Sequence, residues 1–276
     1  MTLFAEWRNQ KFGLICLLAI LMLAYGSNNG LAGGFAVCAE SSTNVSNLVF
    51  NPKTRELHDI AGKKYQFGNI GFVNFENYSA TIQTQIDKQI EELMNKFLGL
   101  DNQSLVYLAK KPDRYGRYSV NFFAKSGHRW MQHELVNAGL AIVHPGLNSK
   151  ECDARLFAAE KAARNKNVGI WKSSKLVIMA KDDANWQARV QNYQLVEGKI
   201  ISVGETKSRT YLNFGKNWDD DFTVIVAKQH IKRFKKVFGD LKLLSGKFVR
   251  VRGWMINSRG PMIEIYHPGQ IEIETE

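Results

Sequence analysis

The spacing of apolar residues changes twice between residues 47 and 124, and this limits the possible folds more than any other property of the chain. Three short apolar stretches, NLVF, RELHDI and YQFGNIGFVNF, are separated by glycines and an Asn-Pro pair, the pattern of a strand meander. From residue 79 the period lengthens. Ile82, Ile86, Ile90, Leu93, Met94 and Phe97 recur at intervals of three and four, which places them on one face of an amphipathic helix. After LGLDN the shorter pattern returns in SLVYLA and YSVNFFA, predicted as a strand pair joined through KKPDRYG. Helices are predicted over residues 130–143 and 151–167, with NVGIW stopping the second. A half-buried sheet with helices behind it implies a mixed, mainly β class.

Residues 172–192 are polar and mixed, a predicted linker, and beyond them the β character dominates. LVEGKIISVGE, RTYLNFG, DFTVIVA, KFVRVRGWMI and PMIEIYH read as five strands, with the basic helical stretch KQHIKRFKKVFGDLKLL between the third and fourth. Five strands with a helix after the third is the order of an OB-fold, a small barrel often used to bind single strands. The predicted organisation is a signal peptide over 1–32, a flexible lead over 33–46, a first domain over 47–171, the linker, and an OB-like domain over 193–276. No sequence repeat joins the two domains.

Arg8 and Lys11 precede an apolar run at residues 12–25, which small residues follow. Fourteen residues fall short of the ~20 that span a bilayer, so the pattern is that of a secretory signal, with cleavage after Gly26, Ala32 or Ala39. Retained as an anchor, the same segment would hold the chain at a membrane. Either way the expected location is periplasmic, secreted or membrane-anchored. Of three cysteines, Cys16 lies within the signal. Cys38 and Cys152 are left as an even pair, expected to form one disulfide in an oxidising compartment. A net charge of +11 suits a polyanionic partner such as nucleic acid, or an anionic membrane surface. His128 and His133 have no carboxylate or cysteine at metal-ligand spacing, so no zinc site is expected.

The turn DRYGR, the helix motif ELVNAGLA and the closing run AAEKAARNKNVGIW together resemble the staphylococcal nuclease (thermonuclease) family, over residues 63–171. The resemblance implies an OB-barrel with packed helices. It also implies a phosphodiesterase site in which two acids hold calcium, a carboxylate activates water and two arginines neutralise the phosphate. A hard cation and arginines offset charge on the pentacoordinate phosphorus while a base deprotonates the nucleophile. The later run from VEGKIISVGE resembles the extra C-terminal domain of exported bacterial members.

On that alignment the chain departs from the family pattern. The arginine position is Asn69, one metal acid is Asn74, the base is Asn77, and the other metal acid falls near Lys53. Arg117 alone remains of the expected set. Glu76, one residue out of register, is the substitute base if the turn slips. The expectation is therefore a nuclease-like protein with little or no hydrolysis and no cofactor, calcium entering only if the site functions after all. The alternatives are an active phosphodiesterase and an envelope protein-interaction module.

In the second domain Arg209, Tyr211, Arg250, Arg252 and Trp254 interleave cations with aromatic rings, the pattern of a single-strand binding surface. Strand alternation sets Tyr211 opposite Leu212 and Phe214, and sets Arg250 and Arg252 opposite Val249 and Val251. Both arginines are expected to point outward, as a basic pair aimed at phosphate.

Overall fold

The computed structural model describes residues 35–75, 79–126, 128–146, 149–174, 176–181, 186–217 and 220–274. The expected signal segment, Glu76, Asn77 and part of the expected linker (182–185) lie outside the described residues. In the first half the strands are β1 (Thr43–Asn44), β2 (Val49–Asn51), β3 (Glu56–His58), β4 (Lys64–Phe67) and β5 (Ile70–Gly71). Helix α1 (Ala80–Leu98) follows, then β6 (Ser104–Tyr107), β7 (Arg117–Ala124) and β8 (Arg129–Trp130). Helix α2 (Met131–Asn137), β9 (Ile142–Val143) and helix α3 (Lys150–Asn165) complete it.

α1 buries Ile86, Ile90, Met94 and Phe97, the stripe its spacing predicts. α3 starts where the Ser149 hydroxyl accepts the Cys152 amide hydrogen, satisfying one of the amides a helix start leaves without a carbonyl. The helix expected over 130–143 is shorter. It stops at Asn137 because Gly139 turns the chain at φ +67, and Ile142–Val143 then pair with Ile70–Gly71 as a strand. Apolar spacing alone does not separate a helix end from a buried two-residue strand.

The second half contains β10 (Val177–Met179), β11 (Tyr193–Lys199), β12 (Ser202–Glu205), β13 (Arg209–Asn213), β14 (Thr223–Ala227), helix α4 (Lys228–Phe238), β15 (Phe248–Asn257), β16 (Pro261–Ile265) and β17 (Ile271–Ile273). Inside the stretch expected as a linker, β10 pairs parallel with β11 as the border strand of the second sheet.

The two halves share one pairing scheme. In the first, β6 runs antiparallel to β7, β7 parallel to β4, and β4, β3 and β2 follow antiparallel. In the second, β15 runs antiparallel to β16, β16 parallel to β14, and β14, β13 and β12 follow antiparallel. Each helix between third and fourth strands, α1 or α4, sits at the same point of the scheme. Neither sheet is closed into a continuous barrel. Instead, one bent segment contributes both ends of the first sheet, and in the second sheet a bent segment joins the end strand β12 to β11, next to the border strand β10. β1 pairs with β6 while β2 pairs with β3, and β11 pairs with β15 while β12 pairs with β13. At the second bend the Ile200 and Ile201 amides donate to Lys247 and Asn213 carbonyls, 2.9 and 2.8 Å away. The class is mainly β with helices, consistent with an OB-like fold.

Residues 35–276 form one compact unit with two apolar cores, and Tyr193 and Leu195 of the second sheet belong to the first core. The Tyr193 hydroxyl donates to the Val143 carbonyl at 3.2 Å, and its ring lies so close to Gly71 that any Cβ there would meet it at 2.7 Å. The Cys38 and Cys152 sulfurs are bonded, tying the lead segment to the first turn of α3 across 114 residues.

Candidate phosphate-binding residues and their surroundings

Arg117 opens β7 after a turn that its own partner builds. Asp113 Oδ1 accepts the Tyr115 and Arg117 amide hydrogens at 2.9 and 3.0 Å, and Gly116 at φ +77 lets the chain reverse. The Asp113 carboxylate then takes the guanidinium as well, Nε donating to Oδ2 at 2.9 Å. Glu56 of β3 reaches the other side, its Oε1 3.3 Å from Arg117 Nη1, and the Tyr115 ring lies 4.9 Å below the cation. Partial burial pushes the Asp113 carboxyl up, but the Arg117 side chain and the Arg117 and Tyr115 amides outweigh it and hold it below the usual carboxylate value. Burial likewise disfavours the charged guanidinium, and the two carboxylates more than restore it. One cation thus faces two anions. A phosphate approaching Arg117 must displace or tolerate both.

Sequence reasoning singled out Arg117 and missed Glu56 and Asp113. Asp113 was legible as the acid four residues earlier in PDRYGR. Glu56 was not, because only the pairing of β4 with β3 and β7 brings its strand beside Arg117.

Of the remaining positions of the implied hydrolytic site, Lys53, Asn69 and Asn74 lie among the described residues. Lys53 sits exposed in the turn after β2, its amide donating to Asn51 Oδ1 at 3.0 Å. Asn69 is 2% exposed in a left-handed conformation, and its carbonyl accepts the His144 amide hydrogen at 2.8 Å. Its place is inside, as a backbone corner, where no side chain clamps phosphate. Asn74 offers an uncharged amide. An ammonium group repels a divalent cation and an amide adds no charge, so these residues do not fit calcium. Among the described residues no group of three or more His, Cys, Asp or Glu side chains is arranged to hold a metal. His133 instead packs against the Phe35 ring, 4.6 Å between centroids.

The five candidates of the second half do not converge. Arg209 is exposed and Tyr211 half-buried on the same outer face of β13, opposite buried Leu212. Trp254 is 55% exposed on β15, with β16 and β14 between it and β13 in the sheet. The expectation that Arg250 and Arg252 face solvent is corrected. Their side chains do lie opposite Val249 and Val251, but that face is covered. Arg252 is 0% exposed, Nη1 donating to Glu160 of α3 at 2.7 Å, with Glu272 of β17 at Nη2 and the Phe157 ring 5.0 Å from its cation. Arg250 is bonded to Glu197 by Nε at 2.6 Å and to Glu274 by Nη1 at 2.8 Å. Arg252 holds the seam between the halves, Arg250 is tied up among carboxylates of the second half, and neither carries a free charge for a ligand.

Across the same seam His144 Nε2 meets the Tyr266 hydroxyl. Enclosure first, and the Arg252 cation second, lower the His144 pKa to about 4.

Residues 79–173 match the model of the staphylococcal nuclease homologue family, so the chain carries a staphylococcal nuclease-like domain. The match runs from the start of α1 through Asp113, Arg117 and both glycines of ELVNAGLA and NVGIW, and the second half lies outside it. No curated protein matches the sequence. No helix among the described residues is long and apolar enough to cross a membrane.

Proposed function

We propose that this protein is an exported, nuclease-like nucleic-acid binder whose hydrolytic site is degenerate. One observation carries the reading: the phosphate arginine implied by the family resemblance, Arg117, is already neutralised by Asp113 and Glu56. The aligned metal and arginine positions point the same way, since they hold Lys53, Asn69 and Asn74. Binding is supported by the nuclease-like domain and by the net charge of +11. The basic flank and apolar run at residues 12–25, with the cysteine pair, support export.

Without a hydrolytic centre, the nuclease-like domain offers shape and charge. Cations on its surface would release counterions from a nucleic-acid backbone, giving affinity that falls steeply with salt and depends little on base sequence. The test is a digestion assay on purified protein with labelled single-stranded DNA and RNA, calcium present and then chelated. Intact substrate in both, with a salt-sensitive mobility shift of the same oligonucleotides, is the expected result. Calcium-dependent turnover that disappears in Glu76→Gln would replace this reading with an active phosphodiesterase using a shifted base.

A further inference from the structure

With Arg250 and Arg252 both committed to carboxylate partners, the cations available to a polyanion lie elsewhere, and their arrangement is specific. The chain leaves β13 backwards through an exposed turn at Lys207 and enters α4 directly from β14. Because Arg209 pairs with Ala227 and the Lys228 amide donates to the Ser208 carbonyl at 2.8 Å, the turn and the helix start are locked side by side. Along α4, Lys228, Lys232 and Lys235 follow at i, i+4 and i+7, one exposed helix face extending over about 10 Å. The adjoining face, about a quarter-turn around the helix, packs on the second core through Ile231, Phe234 and Phe238. α4 contains no acidic residue. The nearest acid in the turn, Glu205, is 3.5 Å from Lys242. Tyr211 continues the line from Arg209, two residues along the same face of β13.

We infer that Lys207, Arg209, Lys228, Lys232 and Lys235 form a phosphate track for single-stranded nucleic acid, with Tyr211 at its end as a platform for a base. This rests on the nucleic-acid reading above and gives it an address. A row of cations with no ion-pair partner among the described residues, ending at a half-exposed aromatic ring, matches an extended strand, whose phosphates and bases are both accessible. A duplex hides its bases from such a ring. An anionic membrane would be met by aliphatic side chains amid cations, and the exposed Val237 and Leu243 lie beyond this row, past the last cation of the track.

The full chain carrying Lys228→Gln, Lys232→Gln and Lys235→Gln tests the inference, since glutamine keeps helix propensity and the three side chains leave the core untouched. A labelled single-stranded oligonucleotide is titrated at several salt concentrations, with circular dichroism confirming the fold. Three lost contacts should flatten the logarithmic salt slope by about 2 and weaken binding about a hundredfold at 0.1 M salt. Tyr211→Leu should weaken binding without changing the slope. Wild-type binding with an unaltered slope in the triple variant would remove the track while leaving the nucleic-acid reading in place. No binding by the wild type at low salt would remove both. Loss of binding to phosphatidylglycerol vesicles in the triple variant, with oligonucleotide binding unchanged, would assign the surface to a membrane and overturn the inference.

Discussion

Arg252→Met is the most informative perturbation of the seam. Among the described residues it leaves the Glu160 carboxylate, 1% exposed, with the Val143 amide hydrogen at 2.7 Å and the Arg164 Nη1 atom at 3.7 Å. Removing one partner of a buried pair costs about 3–5 kcal/mol, because the survivor keeps its desolvation penalty without its counter-charge. At about 2–4 °C per kcal/mol for a unit of this size, the midpoint should fall by about 10 °C. The double variant Arg252→Met with Glu160→Gln removes both charges and preserves an acceptor for the Val143 amide, so most of the loss should be recovered. Urea unfolding followed by tryptophan fluorescence and by far-ultraviolet circular dichroism provides the readout. Trp130 and Trp171 report the first half and Trp254 the second. Coincident single transitions are expected, as the halves share core residues and this ion pair. A loss under about 1 kcal/mol in the single variant, unrelieved in the double, would refute the claim that the pair is desolvated.

Other expectations follow from separate features. Cys38→Ser opens a link spanning 114 residues, and in the chain-entropy model this costs about 4–5 kcal/mol; equal urea midpoints for oxidised and reduced wild-type protein would contradict it. Gly139→Ala forces a side chain at φ +67 and brings a Cβ within 2.3 Å of the Val168 carbonyl oxygen. A loss of at least about 2 kcal/mol should appear, and an unchanged melting curve would show that the crossing of the α2 and α3 ends is loose. His144 has a folded pKa of about 4, below its ordinary value, so unfolded chains take up a proton between pH 6.5 and 4 that folded ones refuse. Stability should therefore be insensitive to His144 above pH 6.5 and fall by about 2 kcal/mol from pH 7 to 5. His133, also lowered by burial, adds in the same direction. A pH profile unaffected by His144→Phe would exclude His144 as the source. Asp113→Asn with Glu56→Gln should raise oligonucleotide affinity by removing both anions that face Arg117, and unchanged affinity would mean that Arg117 faces no ligand.

What the sequence made legible was governed by short-range geometry. The stripe of α1, the burial of Phe214 and the opposition of Arg250 and Arg252 to Val249 and Val251 all follow from helix or strand period. Periodicity says which side chains share a face and is silent on what covers that face. Here α3 covers it, and Glu160 is 92 residues from Arg252 in sequence. The border strand β10 escaped notice because three residues in a polar stretch give no alternation to count. The shared pairing scheme of the two halves escaped for a different reason: a scheme of hydrogen bonds is a property of backbones, and two unrelated side-chain sets satisfy it.

The bent segments at residues 43–51 and 193–205 have a consequence for behaviour in a crowded solution. A sheet end is a row of unsatisfied amides and carbonyls that another chain can extend, and proteins guard such edges by keeping them short or twisted away. In the first half the two outermost strands, β1 and β2, are two and three residues long and lie a few residues apart in the chain. A foreign strand docking on one would have to pull against the pairing of the other. In the second half β10 occupies the border beyond β11 with only three residues, parallel rather than antiparallel. A chain so rich in strands therefore leaves only end strands of two to four residues to recruit a neighbour, and the places where its strands bend keep those edges short.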